Sequence, residues 1–261
     1  MLAKLPTYTG IISIHNARFN NSNIPKPHYI IVPENKEQVR AAMICCKSSG
    51  FETRIRSGGH DYEGLPYISY KPFCLVDRSS LRKIDIDMQE KTAWIETGAT
   101  LGELYYNIAN KSNTLDFPAG TCPSVGVGGH ISGDGQGPLM RKHGLAADNV
   151  LDAIIINVNG TILNRRGMGE DLFLAIRGGG AASFGVVLSW KLRLVEVPPV
   201  VTLFTVARTA CPKMANTSKG NPRGAFRTRR HLQRLMTRKF PEVNLTTKDC
   251  QEMSWINQQS G

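Results

Sequence analysis

Two histidines, His60 and His130, each follow a pair of glycines, and Cys122 stands eight residues before the second of them. Neutral imidazole nitrogens and thiolates are nucleophiles. Paired glycines let the backbone approach a ligand closely, and successive N–H groups in such a turn form a concavity suited to phosphate oxygens. The first stretch runs from Arg54 to Gly64 through Ser57, Gly58, Gly59, His60 and Asp61, and the second runs from Cys122 to Gly137 with six glycines. Each feature also has a plain reading. A Gly-Gly-His turn can be ordinary loop chemistry, Cys122 an inert buried thiol, and His130 a structural hydrogen-bonding group. Neither stretch reads G-x-G-x-x-G at a strand-to-helix junction with an acidic residue about twenty positions later, which sets a nicotinamide-dinucleotide site aside.

Local signals supply elements to position these loops. Val39, Ala42, Met43 and Cys46 recur at helical spacing after Pro33, and Gly50 follows as a stop signal. Phe51–Ile55 then reads as a strand delivering the first loop. Residues 74–77, 84–87 and 92–97 read as short strands. Thr100-Leu101-Gly102-Glu103 has capping-box spacing and opens a helix. After the second loop, residues 150–158 form an apolar run, and Asn159-Gly160 is a hairpin dipeptide. Glu170–Ile176 reads as a short helix, residues 177–180 as a turn and 184–195 as a strand. The alternation points to an α+β cofactor domain.

The chain has 261 residues, 41% of them hydrophobic, which suffices for a proper core. Its formal charge is +11, yet residues 207–239 alone hold ten Lys/Arg and no Asp/Glu, so the basic character belongs to one segment. That segment has a single aromatic, Phe226, and no nucleic-acid motif, so a nucleic-acid partner is not expected. Its composition, with little apolar period before Leu232, Leu235 and Met236, predicts poor order over 207–238. Six cysteines lack C-x-x-C spacing, which argues against a zinc or thioredoxin-type site. Most read as buried thiols. No long apolar run suggests a membrane span, and residues 1–6 are too short for a signal-peptide core.

The two glycine loops, with Leu145 to Ala153 and Arg177-Gly178-Gly179-Gly180 behind them, closely resemble the plant FAD-linked oxidases related to berberine bridge enzyme. The resemblance covers about residues 10–206 and returns at Lys239-Phe240-Pro241-Glu242 and from Asp249 to Ile256. It implies a two-lobed FAD-binding domain of the PCMH, vanillyl-alcohol-oxidase-like type over 1–206, a basic segment over 207–238, and a remnant of the family's substrate domain over 239–261. Most of that substrate domain, and with it the general base, is expected to be missing.

In residues, the resemblance implies FAD joined to His60 at the 8α carbon and to Cys122 at C6. Arg56, Ser57, Gly58, Gly59, His60 and Asp61 would cradle the pyrophosphate, and residues 126–129, including Gly126, Gly128 and Gly129, would lie against the ring. His130 would face the flavin N1 and O2 edge, Tyr62 the substrate, and Val125 would favour reaction with oxygen. The implied partners are a small-molecule substrate and molecular oxygen, for a monomer with no bound metal or membrane. Secretion or a cell-wall location is usual in the family, where Cys45 pairs with a cysteine near the mature N-terminus. That partner is lacking here, so an N-terminal truncation is expected, and Asn20, Asn110, Asn159, Asn216 and Asn244 are expected to remain unmodified. Three departures are Asp134 in a Gly-Gly-Gly run, where a left-handed backbone would cost about 1 kcal/mol, Gln136 for an aromatic and Leu174 for a tryptophan. The competing expectation is a non-catalytic flavin-binding fragment or a faulty gene model.

Overall fold

The computed structural model describes residues 14–20, 23–204, 223–225 and 228–256. Its elements begin with β1 (Tyr29–Ile31), α1 (Lys36–Ser48), β2 (Glu52–Arg56), β3 (Phe73–Asp77), β4 (Ile84–Asp87), β5 (Thr92–Glu96), α2 (Leu101–Lys111) and β6 (Leu115–Asp116). There follow α3 (Val127–Ser132), α4 (Met140–His143), β7 (Val150–Asn157), β8 (Ile162–Leu163), α5 (Arg165–Ala175), β9 (Gly185–Arg193) and β10 (Val195–Glu196). The last are β11 (Val201–Phe204), β12 (Arg223–Ala225), α6 (Arg229–Lys239) and β13 (Cys250–Met253). Two compact units result, residues 1–107 with 117–194, and residues 108–116 with 195–261.

The first unit has two lobes. One is a parallel sheet in the order β1-β3-β2, the other an antiparallel sheet in the order β4-β5-β9-β7-β8. Asn35 caps α1 by accepting the Gln38 N–H, and the helix buries the face its spacing predicted: Val39, Ala42, Met43 and Cys46. Three of these pack with Val76 of β3 and with Ile156, Val186 and Leu188 of the larger sheet, so one core joins the lobes. Full burial of each large apolar side chain is worth about 1.5–3 kcal/mol. Burial pushes the Cys46 thiol up and the Cys74 thiol up to about 12, which suits inert packing groups.

Turn and cap signals resolve as expected. Thr100 and Glu103 exchange backbone-to-side-chain bonds at the start of α2, and Gly160, at φ +77°, turns the β7–β8 hairpin. The helix expected over Glu170–Ile176 is the second half of α5: Asn164 caps a preceding turn by accepting the Gly167 N–H, and the backbone breaks at Gly169, φ +73°, just before Glu170. Asp134 does take a left-handed backbone, φ +74°, at a cost of about 1 kcal/mol. Leu174 and Gln136 both stand at the surface, where no partner has to replace a lost aromatic contact.

In the second unit β6 pairs with β10, and β11 is the centre of a sheet ordered β12-β11-β13. The boundary expected at residue 206 falls inside this unit, since Val201 to Phe204 pair with Met253 to Cys250. Residues 205–222 and 226–227, with Cys211 and Asn216, lie outside the described residues. Residues 229–238, expected to be poorly ordered, instead belong to the helix α6. It buries Leu232, and Arg229 engages Glu252 of β13 through its backbone N–H at 2.8 Å and its guanidinium at 3.7 Å. A tertiary partner compensates there for a weak local pattern. Among the described residues no helix is long and apolar enough to cross a membrane.

Candidate cofactor site

The first loop leaves the sheet at a buried ion pair. Arg56 ends β2 in register with Asp77 at the end of β3, and its Nη1 donates to Asp77 Oδ2 at 2.9 Å. Arg56 Nε donates to the Tyr67 hydroxyl at 3.1 Å, and that hydroxyl donates to the Gly59 carbonyl at 3.3 Å. Burial opposes the Arg56 charge, but Asp77 and Tyr67 hold its pKa above the ordinary value. Ser57 turns inward as well, its hydroxyl donating to Thr97 O at 2.6 Å. The side chains of Arg56 and Ser57 therefore serve the scaffold. The backbone N–H groups of residues 57–61 donate to no acceptor among the described residues, with Ser57 and Gly59 buried and Gly58, His60 and Asp61 half-buried.

Behind this loop lies Arg78, buried and pushed by that burial down to about 10, which still leaves it charged at neutral pH. Its guanidinium donates to Thr97 Oγ1 at 2.9 Å, Val187 O at 2.6 Å and Arg56 O at 3.3 Å. One side chain thus ties both sheets to the strand that ends in the loop. Sequence reasoning passed over Asp77 and Arg78. The available signal was a charge pair closing the apolar run Phe73–Val76, one strand over from Arg56.

A backbone bridge between Thr100 and Gly126 brings in the second loop, with Leu101 N–H on Val125 O and Val127 N–H on Ala99 O, each at 2.9 Å. The loops meet at glycine: a Cβ on Gly58 would lie 2.2 Å from Gly126 N, and one on Gly126 equally close to Gly58 N. This contact brings His60 and Cys122 together around a third residue, Ser124. Its hydroxyl lies 3.0 Å from His60 Nε2 and 3.6 Å from Cys122 Sγ, and Cys122 and Ser124 are both exposed. The ring of His15 stacks on His60, centroids 4.0 Å apart. Burial, His15 and Arg56 push the His60 pKa below its ordinary value, against a hydrogen bond to the Ser124 backbone that raises it.

His130 is placed differently. Its Nε2 accepts the Gly120 N–H at 3.0 Å, and burial lowers its pKa. Gly128 faces inward, where a Cβ would meet Thr97 O and Arg78 Nη2 within 3 Å, whereas a Cβ on Gly129 would meet nothing within 4 Å. Val125 is half-buried. Asp61 accepts the Glu63 and Leu65 N–H groups and shapes the turn carrying Tyr62, which is 86% exposed.

Unengaged N–H groups, an open glycine face and two converging nucleophiles are donors and space that fit a dinucleotide with an electrophilic ring, and a matching family model supports that reading. Residues 27–165 match the FAD binding domain family. The chain is 46% identical to tetrahydroberberine oxidase of Berberis wilsoniae over 96% of its length and 54% of that protein's. It superposes on BBE-like #28 from Arabidopsis thaliana with a TM-score of 0.89 at 44% identity, covering 95% of this chain and 56% of that one. It also resembles two Phl p 4 variants, each with a TM-score of 0.88 at 39% identity, covering 94% of this chain and 56% of theirs. One is a glucose dehydrogenase; the other, with one further Ile-to-Val exchange, is a glucose oxidase. The fold is that of an FAD-binding protein. More particularly, the chain belongs to the berberine bridge enzyme-like family of plant FAD-linked oxidoreductases, and it spans about half the length of the relatives it matches.

Proposed function

We propose that this chain holds FAD covalently through His60 and Cys122 and serves an oxidase reaction on an alcohol, carbohydrate or amine carbon. Bound FAD supplies a hydride acceptor at N5 and passes the electrons to molecular oxygen. The N–H groups of residues 57–61 hold the pyrophosphate, residues 126–129 support the ring system, and His130 lends polarity to its pyrimidine edge. Tyr62 faces the substrate. Val125 stands at the oxygen gate, a reading supported by the Ile-to-Val exchange that separates the two Phl p 4 activities. The observation that carries the proposal is the convergence of His60 and Cys122 on one hydroxyl beside unengaged backbone donors.

The test is retention of yellow flavin after acid precipitation of the purified chain. Loss of one attachment is expected in His60→Ala and in Cys122→Ala, and loss of both in the double variant. Colourless wild-type protein after incubation with FAD would refute the proposal. A second reading is FAD binding with little or no turnover. Air re-oxidation after chemical reduction, without reduction by oligosaccharides or aromatic alcohols at a family rate, would select it.

A further inference from the structure

We propose that Ser124 is a positioning residue for covalent attachment, holding both nucleophiles and carrying away their protons; this rests on the covalent reading above. The Ser124 hydroxyl lies within hydrogen-bond distance of His60 Nε2 and near Cys122 Sγ, and it is exposed. A hydroxyl has one proton to give and lone pairs that accept. When Nε2–H donates to Ser124 Oγ, the other ring nitrogen, Nδ1, keeps its lone pair for bond formation. The Ser124 O–H is then free to point at the sulfur, where it stabilises a thiolate by a charge-assisted hydrogen bond. The His15 ring stacked on His60 restrains the imidazole plane in that orientation.

The two attachments balance in the same way. At His60, the Nδ1–C8α bond forms, a methyl C–H proton and the Nε2 proton leave, and two electrons pass through the ring to dioxygen, giving hydrogen peroxide. At Cys122, the Sγ–C6 bond forms, the thiol and C6–H protons leave, and dioxygen again takes two electrons. In each case the proton on the protein side sits on an atom that faces Ser124 Oγ. Alkylation makes the Nε2 proton acidic, and an exposed hydroxyl can pass it to water. Ser124 thus acts in both attachments without itself bonding to the cofactor.

The experiment uses the whole chain prepared without flavin, mixed with FAD in air, with Ser124→Ala and Ser124→Thr alongside wild type. Three quantities are followed: the dissociation constant for FAD before attachment, the rate at which flavin becomes acid-stable, and the mass of the His60 and Cys122 peptides. Removing a hydrogen bond to a developing charge should slow both attachments in Ser124→Ala by about tenfold to a hundredfold. The initial dissociation constant should stay within about threefold, because the backbone donors of residues 57–61 are untouched. Ser124→Thr, which keeps the hydroxyl, should restore the rate. Attachment at the wild-type rate in Ser124→Ala would overturn the assignment, as would a Ser124→Thr variant that folds and binds FAD but attaches it as slowly as Ser124→Ala. A Ser124→Ala variant that loses initial FAD binding would overturn it too, since the residue would then be structural. Wild-type protein that releases all its flavin in acid would instead overturn the covalent reading.

Discussion

Gly58-Gly59-His60 and Gly128-Gly129-His130 are the same tripeptide on two supports. The first follows the edge strand β2, with Gly59 at φ +77°, and sends His60 outward to Ser124. The second lies within helix α3, which turns Gly128 inward and leaves His130 accepting the Gly120 N–H, as a brace between loop segments. Identical residues therefore meet different partners: one histidine ring lies against a hydroxyl of the other loop, while the second accepts a backbone N–H. Which does which depends on the element beneath. A strand end releases its residues into a loop, while a helix fixes every side-chain direction at about 100° per residue.

The sharpest way to break the contrast is to remove the ionic support of the first loop. Asp77→Ala leaves Arg56 without its carboxylate beside the enclosed Arg78. A loss of about 3–5 kcal/mol is expected from a buried pair deprived of one partner, read as a lower denaturation midpoint with weakened FAD binding. An unchanged midpoint would mean that the Arg56–Asp77 contact does not support the loop.

A smaller effect separates the glycines. Gly58→Ala drives a methyl into Gly126 and should cost about 1–3 kcal/mol by overpacking. Gly129→Ala meets open space inside a helix and should change stability by no more than about 1 kcal/mol, in the stabilising direction. If the flavin ring lies on that face, the same variant will bind FAD more weakly. Equal thermal midpoints for the two variants would contradict the inward and outward assignment.

The smallest expected effect is on pH dependence. Burial lowers the pKa of both histidines, so the unfolded chain binds their protons more readily. Their contribution is fully present above the ordinary histidine value of about 6.5 and is lost as pH falls through the lowered folded values. Midpoints should therefore decline on acidification below that point. His130→Ala should start less stable at neutral pH and decline less steeply, because protonation of Nε2 no longer breaks the Gly120 bond. An unaltered slope would show that His130 does not titrate in that range.

Much of this was legible from residues close together in the chain. The α1 face, the Thr100–Glu103 cap, the Asn159-Gly160 hairpin and the left-handed Asp134 each depend on a few neighbouring residues, because caps, turns and periodicity act over one or two turns of backbone. The basic helix over Arg229–Lys239 was missed because its order draws on Leu232 burial and on Glu252, a residue from another strand. Resemblance placed the two loops in one cofactor site. Only the tertiary structure decided that they meet at Gly58 and Gly126, that Ser124 stands between residues 60 and 122, and that Arg78 is buried behind them. Those facts follow from the parallel pairing of β2 with β3 and the bridge from Thr100 to Gly126. Such pairings are set by packing between residues far apart in sequence, and no local pattern encodes them.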